Sequence, residues 1–307
     1  MAEKVFIIGN GFDLDLGFRT RYSDFYQQFW PFRGAISGLG GFLEQCVQRN
    51  HWLDLEMELF NYAKANGGVV NKSKINFSQI EADKNDFYDL VSILRRFINR
   101  IPEENKINDK SIANKVFRTV LDTPHYSIYS FNYTNLADIA SRLYIKETSY
   151  NRVEYKLNYT PIHGTIKDDN IILGVHSDAE LVDGYEFLQK INQPNYKSTN
   201  LTQELETANE IVIFGLSLGI IDYPYFRRLF NAIGASDSEI VPPDKKKYIT
   251  IFTYDESSRM EILKQLRTFI GYDLSTLKSN CYFDIIRTSM CNYEDKNKFE
   301  AWITRQK

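Results

Sequence analysis

Short apolar runs rich in β-branched residues recur along the chain. Val5-Phe6-Ile7-Ile8 is stopped by Gly9, and comparable runs lie at Tyr126 to Phe131, Ile171 to Leu173, Ile211 to Phe214, Tyr248 to Phe252 and Tyr282 to Ile286. Such runs are largely apolar rather than strictly alternating, which predicts strands covered on both faces, as in a parallel sheet. Between several of them the period lengthens. Met260, Ile262, Leu263, Leu266 and Ile270 follow a Ser-rich start at helical spacing, and Tyr225, Phe226, Leu229, Phe230 and Ile233 form a stripe opened by Asp222 and Pro224. A helix opens well on such residues. Strands alternating with helices predict an α/β fold: a Rossmann-like, mainly parallel sheet with helices on both faces.

One region breaks the alternation. From about Trp30 to Val120 no strand is evident, whereas Phe87, Leu90, Leu94, Phe97 and Ile101 step by three and four onto one helical face. The pattern predicts a helical insertion over roughly residues 30–120, after the first strand, within one domain spanning 1–307. Asn66 to Asn76, with Gly67 and Gly68, reads as its loop.

Composition narrows the class. In 307 residues, 37 Lys and Arg stand against 40 Asp and Glu, a net charge of −3, so there is no bulk attraction to a polyanion and a dedicated nucleic-acid binder is not expected. Hydrophobic residues at 43% and charged residues at 25% exclude a disordered chain. Aromatic residues, at 14%, are abundant enough to line a self-association contact, although buried rings are the default. Cys46, Cys281 and Cys291 form no C-x-x-C pair, which points to ordinary thiols and no metal centre. The first apolar run, Val5 to Ile8, is too short for a signal peptide or a spanning helix, so a cytoplasmic protein without a membrane partner is expected.

Candidate chemistry gathers where the runs end. Gly9-Asn10-Gly11-Phe12-Asp13, continuing to Gly17 and Thr20, follows the first strand directly. Its glycines suit a tight turn, and a helix N-terminus just beyond offers N–H groups to a phosphate. Asp13 would repel a pyrophosphate and fits better near a ribose hydroxyl or a cationic nicotinamide ring. The next cluster, Ser130 to Asn135, carries Asn132, Thr134 and Asn135 at the carboxyl end of the second strand, where open parallel sheets bind ligands; it reads equally as a turn with helix caps. His163 follows an apolar strand end and precedes Gly164, which frees space beside it. Gly215-Leu216-Ser217-Leu218-Gly219 closes the Ile211 run and suits sugar or phosphate contacts. Glu56 shares a helical stripe with Trp52, Leu55, Leu59 and Ala63, so its carboxylate needs a partner, whether in a salt bridge or in a site.

In this order the clusters resemble the bacteriophage abortive-infection AbiH family. Gly9 to Thr20 is similar to its opening G-N-G-F-D-x-x-x-G-x-x-T, and Trp52 to Glu56 to its W-x-D-x-E. The F-N-Y-T, H-G and G-x-S-L blocks follow at Phe131, His163 and Gly215. A more distant resemblance is to the sirtuin-like NAD-binding fold. There Gly9, Gly11 and Gly17 fall on three motif glycines, Asn132 on the asparagine, His163 on the histidine, and Gly215 and Ser217 on the phosphate-side block. Asp13 stands where that motif has serine, Thr134 where it has aspartate, and no four-cysteine zinc module is present. Leu216 stands where many AbiH relatives carry His.

The resemblance implies a phage-defence protein that hydrolyses NAD at the nicotinamide–ribose bond. Asn132 would hold the ribose or the attacking water and His163 would act as general base. Gly9, Asn10, Gly11, Phe12, Asp13, Gly17, Thr20, Thr134, Gly215 and Ser217 would bind the nucleotide, and Arg19 or Arg21 could reach a phosphate. A module that binds NAD or ADP-ribose without chemistry is the alternative, and a nuclease a distant third. A phage or host protein trigger and a homo-oligomer are partners that the resemblance leaves open.

Overall fold

The computed structural model describes residues 4–49, 54–74, 76–104, 106–144, 157–234, 241–271, 274–290 and 292–307. Trp52, of the W-x-D-x-E motif, and Cys291 lie outside them. The chain opens with β1 (Lys4–Ile8) and α1 (Asn10–Asp15), then runs through α2 (Tyr22–Phe29), α3 (Gly38–Arg49), α4 (Leu55–Ala63), α5 (Phe77–Glu104) and α6 (Ile112–Asp122). Next come β2 (Tyr126–Ser130), α7 (Leu136–Tyr144), β3 (Thr160–Pro161), α8 (Leu201–Thr207) and β4 (Glu210–Phe214). It continues with α9 (Tyr223–Gly234), β5 (Lys247–Thr253), α10 (Glu256–Ile270), α11 (Leu274–Asn280), β6 (Cys281–Arg287) and α12 (Tyr293–Gln306). These elements form two compact units. The first comprises residues 1–18, 106–162 and 198–307; the second comprises 19–105 and 163–197.

The first unit is the sheet. Its six strands are all parallel, in the order β3-β2-β1-β4-β5-β6, so the expected α/β, Rossmann-like arrangement is the one observed. Alternate side chains serve opposite faces. Val5, Ile7, Ile211, Ile213, Ile249 and Ile251 pack with Leu205, Phe226, Phe230, Ile262 and Leu266 in one core. Their neighbours turn to the other face, where Phe6 meets Phe12 and Phe117, and Phe252 meets Phe214, Phe299 and Trp302. Helices α8, α9 and α10 thus cover one face while α1, α6 and α12 cover the other. Many of the abundant aromatic rings are spent here. At the amino ends of the strands, the buried Glu210 carboxylate gathers Lys4 at 3.4 Å and Arg305 at 3.3 Å, and accepts a hydrogen bond from the Gln306 amide.

The second unit is helical apart from the irregular stretch 163–197. The predicted stripe on α5 is buried from Phe87 to Ile101, and α2 and α3 pack on that helix. The wholly buried Asp83 accepts from the Tyr62 and Tyr185 hydroxyls, the Leu39 N–H and the Gln79 amide. Ile171 to Leu173 belongs to this unit and is not a strand. Its three apolar residues are buried in irregular chain, with Ile172 N–H donating to the His163 carbonyl at 2.9 Å. The sixth strand of the sheet is instead Thr160–Pro161. Among the described residues no helix is long and apolar enough to cross a membrane.

Candidate functional site

In the strand order found here the chain winds outward from the middle of the sheet in both directions. The switch falls between β1 and β4, and the crevice at the carboxyl ends of such strands is where open α/β sheets bind ligands. Two turns meet there. Gly9 N–H donates to the Phe214 carbonyl at 2.9 Å, and Gly11 N–H donates to the Gly215 carbonyl at 2.8 Å. Gly215 has φ +66, a conformation that costs a side chain dearly. A Cβ built on Gly11 would lie 2.6 Å from the Gly215 Cα, and one on Gly9 would lie 2.8 Å from the Leu216 Cα. The glycines of the first and last motifs therefore let two backbone segments touch each other. Leu218, buried in the same turn, holds φ +53, a strained conformation for a residue with a branched side chain.

Behind this junction sits a polar cluster at the ends of β1 and β2. Asp13, on α1, is 1% exposed. Its Oδ1 accepts from the Asn132 amide at 2.9 Å and its Oδ2 from the Thr134 hydroxyl at 2.8 Å. The Asn132 amide also donates to the Gly9 carbonyl at 3.0 Å, so Asn132 ties the end of β2 to the end of β1. Both of these donors to Asp13 are neutral. Burial pushes the Asp13 carboxyl up to about 7, while the Thr134 and Asn132 hydrogen bonds pull the other way. Asn135 accepts from the Ala137 and Asp138 N–H groups and so caps α7.

The remaining residues foreseen in this region take varied positions. Phe12 is fully buried against Phe6, Phe117 and Phe214 and anchors α1 in the core. Asn10 and Ser217 are exposed. Gly17 ends α1 with φ +94, its N–H bonded to the Leu14 carbonyl. Thr20, with the exposed Arg19 and Arg21, falls in the second unit.

His163 also belongs to the second unit, with a cluster of its own. Lys190 Nζ lies 2.9 Å from His163 Nε2 and 2.9 Å from each oxygen of Glu56, all three residues being buried. Gly174 N–H donates to Glu56 Oε1 at 3.2 Å. Burial pushes the Glu56 carboxyl up, and the Lys190 ammonium opposes that rise. With Lys190 charged, its ammonium has only hydrogens to offer, so His163 Nε2 would accept through its lone pair and the ring proton would sit on Nδ1. Gly164 has φ +73, and a Cβ there would meet the Asn170 carbonyl, so backbone occupies the space beside Gly164. Lys190 carries no motif of its own in the sequence. Its signal was indirect: a carboxylate on an apolar helical stripe demands a cation from somewhere.

A profile of the family described as bacteriophage abortive infection AbiH matches residues 5–242. The chain belongs to the AbiH family. The matched span runs from β1 past α9 and contains Asp13, Asn132, Thr134, His163, Lys190 and Gly215. β5, β6 and α12 lie beyond it, yet β5 pairs with β4 along five residues and extends the same sheet. No curated protein matches the chain.

Proposed function

We propose that this AbiH-family protein acts in phage defence by binding a nucleotide at the switch point of its sheet and hydrolysing NAD at the nicotinamide–ribose bond. One observation carries the reading: a buried carboxyl, Asp13, poised at about 7 at the carboxyl end of β1, with the Asn132 amide and the Thr134 hydroxyl on its two oxygens. A general base works best when its pKa is close to the operating pH. Water attacks the anomeric carbon of the nicotinamide ribose as the carbon–nitrogen bond breaks. The bonding pair returns to the ring nitrogen and removes its positive charge. Asp13 takes the water's proton, and its negative charge stabilises the cation developing on the sugar. The likeness to the sirtuin-like fold is an analogy that supports NAD as the nucleotide.

This assignment moves the base from His163, the residue suggested by the sequence, to Asp13. Lys190 Nζ lies 2.9 Å from His163 Nε2, so that nitrogen already has a partner, which favours Asp13 as the base in this reading. The test is nicotinamide release from NAD by the purified protein. Asp13→Asn is expected to lower the rate by about 10²–10⁴-fold, the usual worth of a positioned base. Unchanged release in Asp13→Asn would overturn the assignment. A second reading, a module that binds NAD or ADP-ribose without turnover, is favoured by the Asn132 amide being committed to Gly9 and Asp13. It predicts saturable NAD binding with no nicotinamide released.

A further inference from the structure

The second unit carries a groove of about 750 Å³ between the end of α2 and one face of α5. Arg33, Arg96 and Arg100 line it together with Phe29, Gln28 and Asn99, and among the described residues no carboxylate does. Arg96 and Arg100 are exposed and stand four residues apart on α5, the spacing at which like charges on a helix repel. The adjacent Arg95 has a carboxylate, Asp169, at 3.3 Å; among the described residues neither Arg96 nor Arg100 has one. Glu44, a nearby acid, is engaged by the Trp30 indole at 2.7 Å, the Gln48 amide at 2.8 Å and the Gly34 N–H.

Two of the three guanidinium groups are already held. Arg33 donates to the Tyr26 and Gln27 carbonyls at the end of α2, at 3.2 and 2.6 Å. Arg100 lies over the Phe29 ring, 4.9 Å from its centroid. A guanidinium laid on one ring keeps its outer face for a second planar group, and its edge can bond a phosphate bidentately. Asn99 and Gln28 add amide donors and acceptors suited to the edge of a heterocycle. The groove has the volume of a small-ligand site, and a net charge of −3 gives the whole chain no pull on a long polyanion.

We propose that this groove is a second, separate site for a small phosphorylated ligand carrying a planar ring, a nucleoside oligophosphate, held by Arg33, Arg96 and Arg100. It differs from the switch-point site in residues and in chemistry, since it offers fixed positive charge and no carboxyl.

Isothermal titration with ATP, tripolyphosphate and adenosine, using the whole chain and its Asp13→Asn form, tests this. ATP is expected to bind both proteins alike, tripolyphosphate more weakly and adenosine not measurably. The Arg96→Gln/Arg100→Gln variant should bind ATP at least tenfold more weakly while melting within about a degree of the native protein, because both side chains are exposed and surface substitutions of this kind cost little. Arg100→Lys should keep tripolyphosphate binding and weaken ATP, having lost the planar platform. Retention of native ATP affinity in the double variant would overturn the proposal. So would affinity for single-stranded oligonucleotides that climbs with their length beyond that for ATP, which would mark a nucleic-acid surface instead.

Discussion

Asp13 and Glu56 are both buried carboxyls, one in each unit, and they solve the same problem in opposite ways. Glu56 has a cation: both of its oxygens face the Lys190 ammonium at 2.9 Å. Asp13 is held by the neutral donors Asn132 and Thr134. A matched ion pair fixes charge and rigidifies its surroundings, but it does not exchange protons readily. A carboxyl held by neutral donors keeps two accessible protonation states, and Asp13 switches between them at about 7. The contrast separates a cluster that orients a histidine from one that can move a proton.

The largest effect that would break the comparison comes from Lys190→Met. It strands Glu56 as a buried charge, and stability is expected to fall by about 3–5 kcal/mol in urea unfolding. Adding Glu56→Gln should recover much of that loss, since the stranded charge is then removed. If the single variant unfolds at the native midpoint, Glu56 is not the ionised half of a pair.

Asp13→Asn sharpens the other side. An aspartate titrates near 3.9 in the unfolded chain and at about 7 when folded, so the native state binds the extra proton. Stability from this group is fully present below about pH 4 and is lost as pH rises through about 7. The amide that replaces the carboxyl cannot ionise, so the variant should gain on the native protein from about pH 4 to about pH 8, by on the order of 4 kcal/mol at the top of the range. A gap that stays flat with pH in calorimetric melts would refute the raised carboxyl.

The smallest change concerns the turn beside Asp13. Gly11→Ala presses a methyl against the Gly215 Cα and is expected to cost about 1–3 kcal/mol. An unchanged melting temperature would mean that the two turns part easily.

The sheet was legible because β-branched runs such as Ile211 to Phe214 carry their own signal. Ile171 to Leu173 looked the same over three residues, but burial alone does not distinguish a strand from a packed irregular segment. Thr160–Pro161 was hidden for the opposite reason, as proline argues against a strand. The polar clusters were visible in part. Asp13, Asn132 and Thr134 stood out at strand ends, whereas their bonding to one another depends on the register of β1 with β2. Lys190 stands 134 residues from Glu56 in a polar stretch, and only tertiary folding joins them. The glycines read as a tight turn in the sequence; that a second turn packs on them depends on β4 lying beside β1.

The Glu210 cluster has a consequence for how the protein is made. Its counter-charges come from Lys4 on the first strand and Arg305 on α12. During synthesis Glu210 meets only Lys4 of these two cations until α12 has been made. Chains truncated before residue 305 are expected to be less stable to urea than the whole protein.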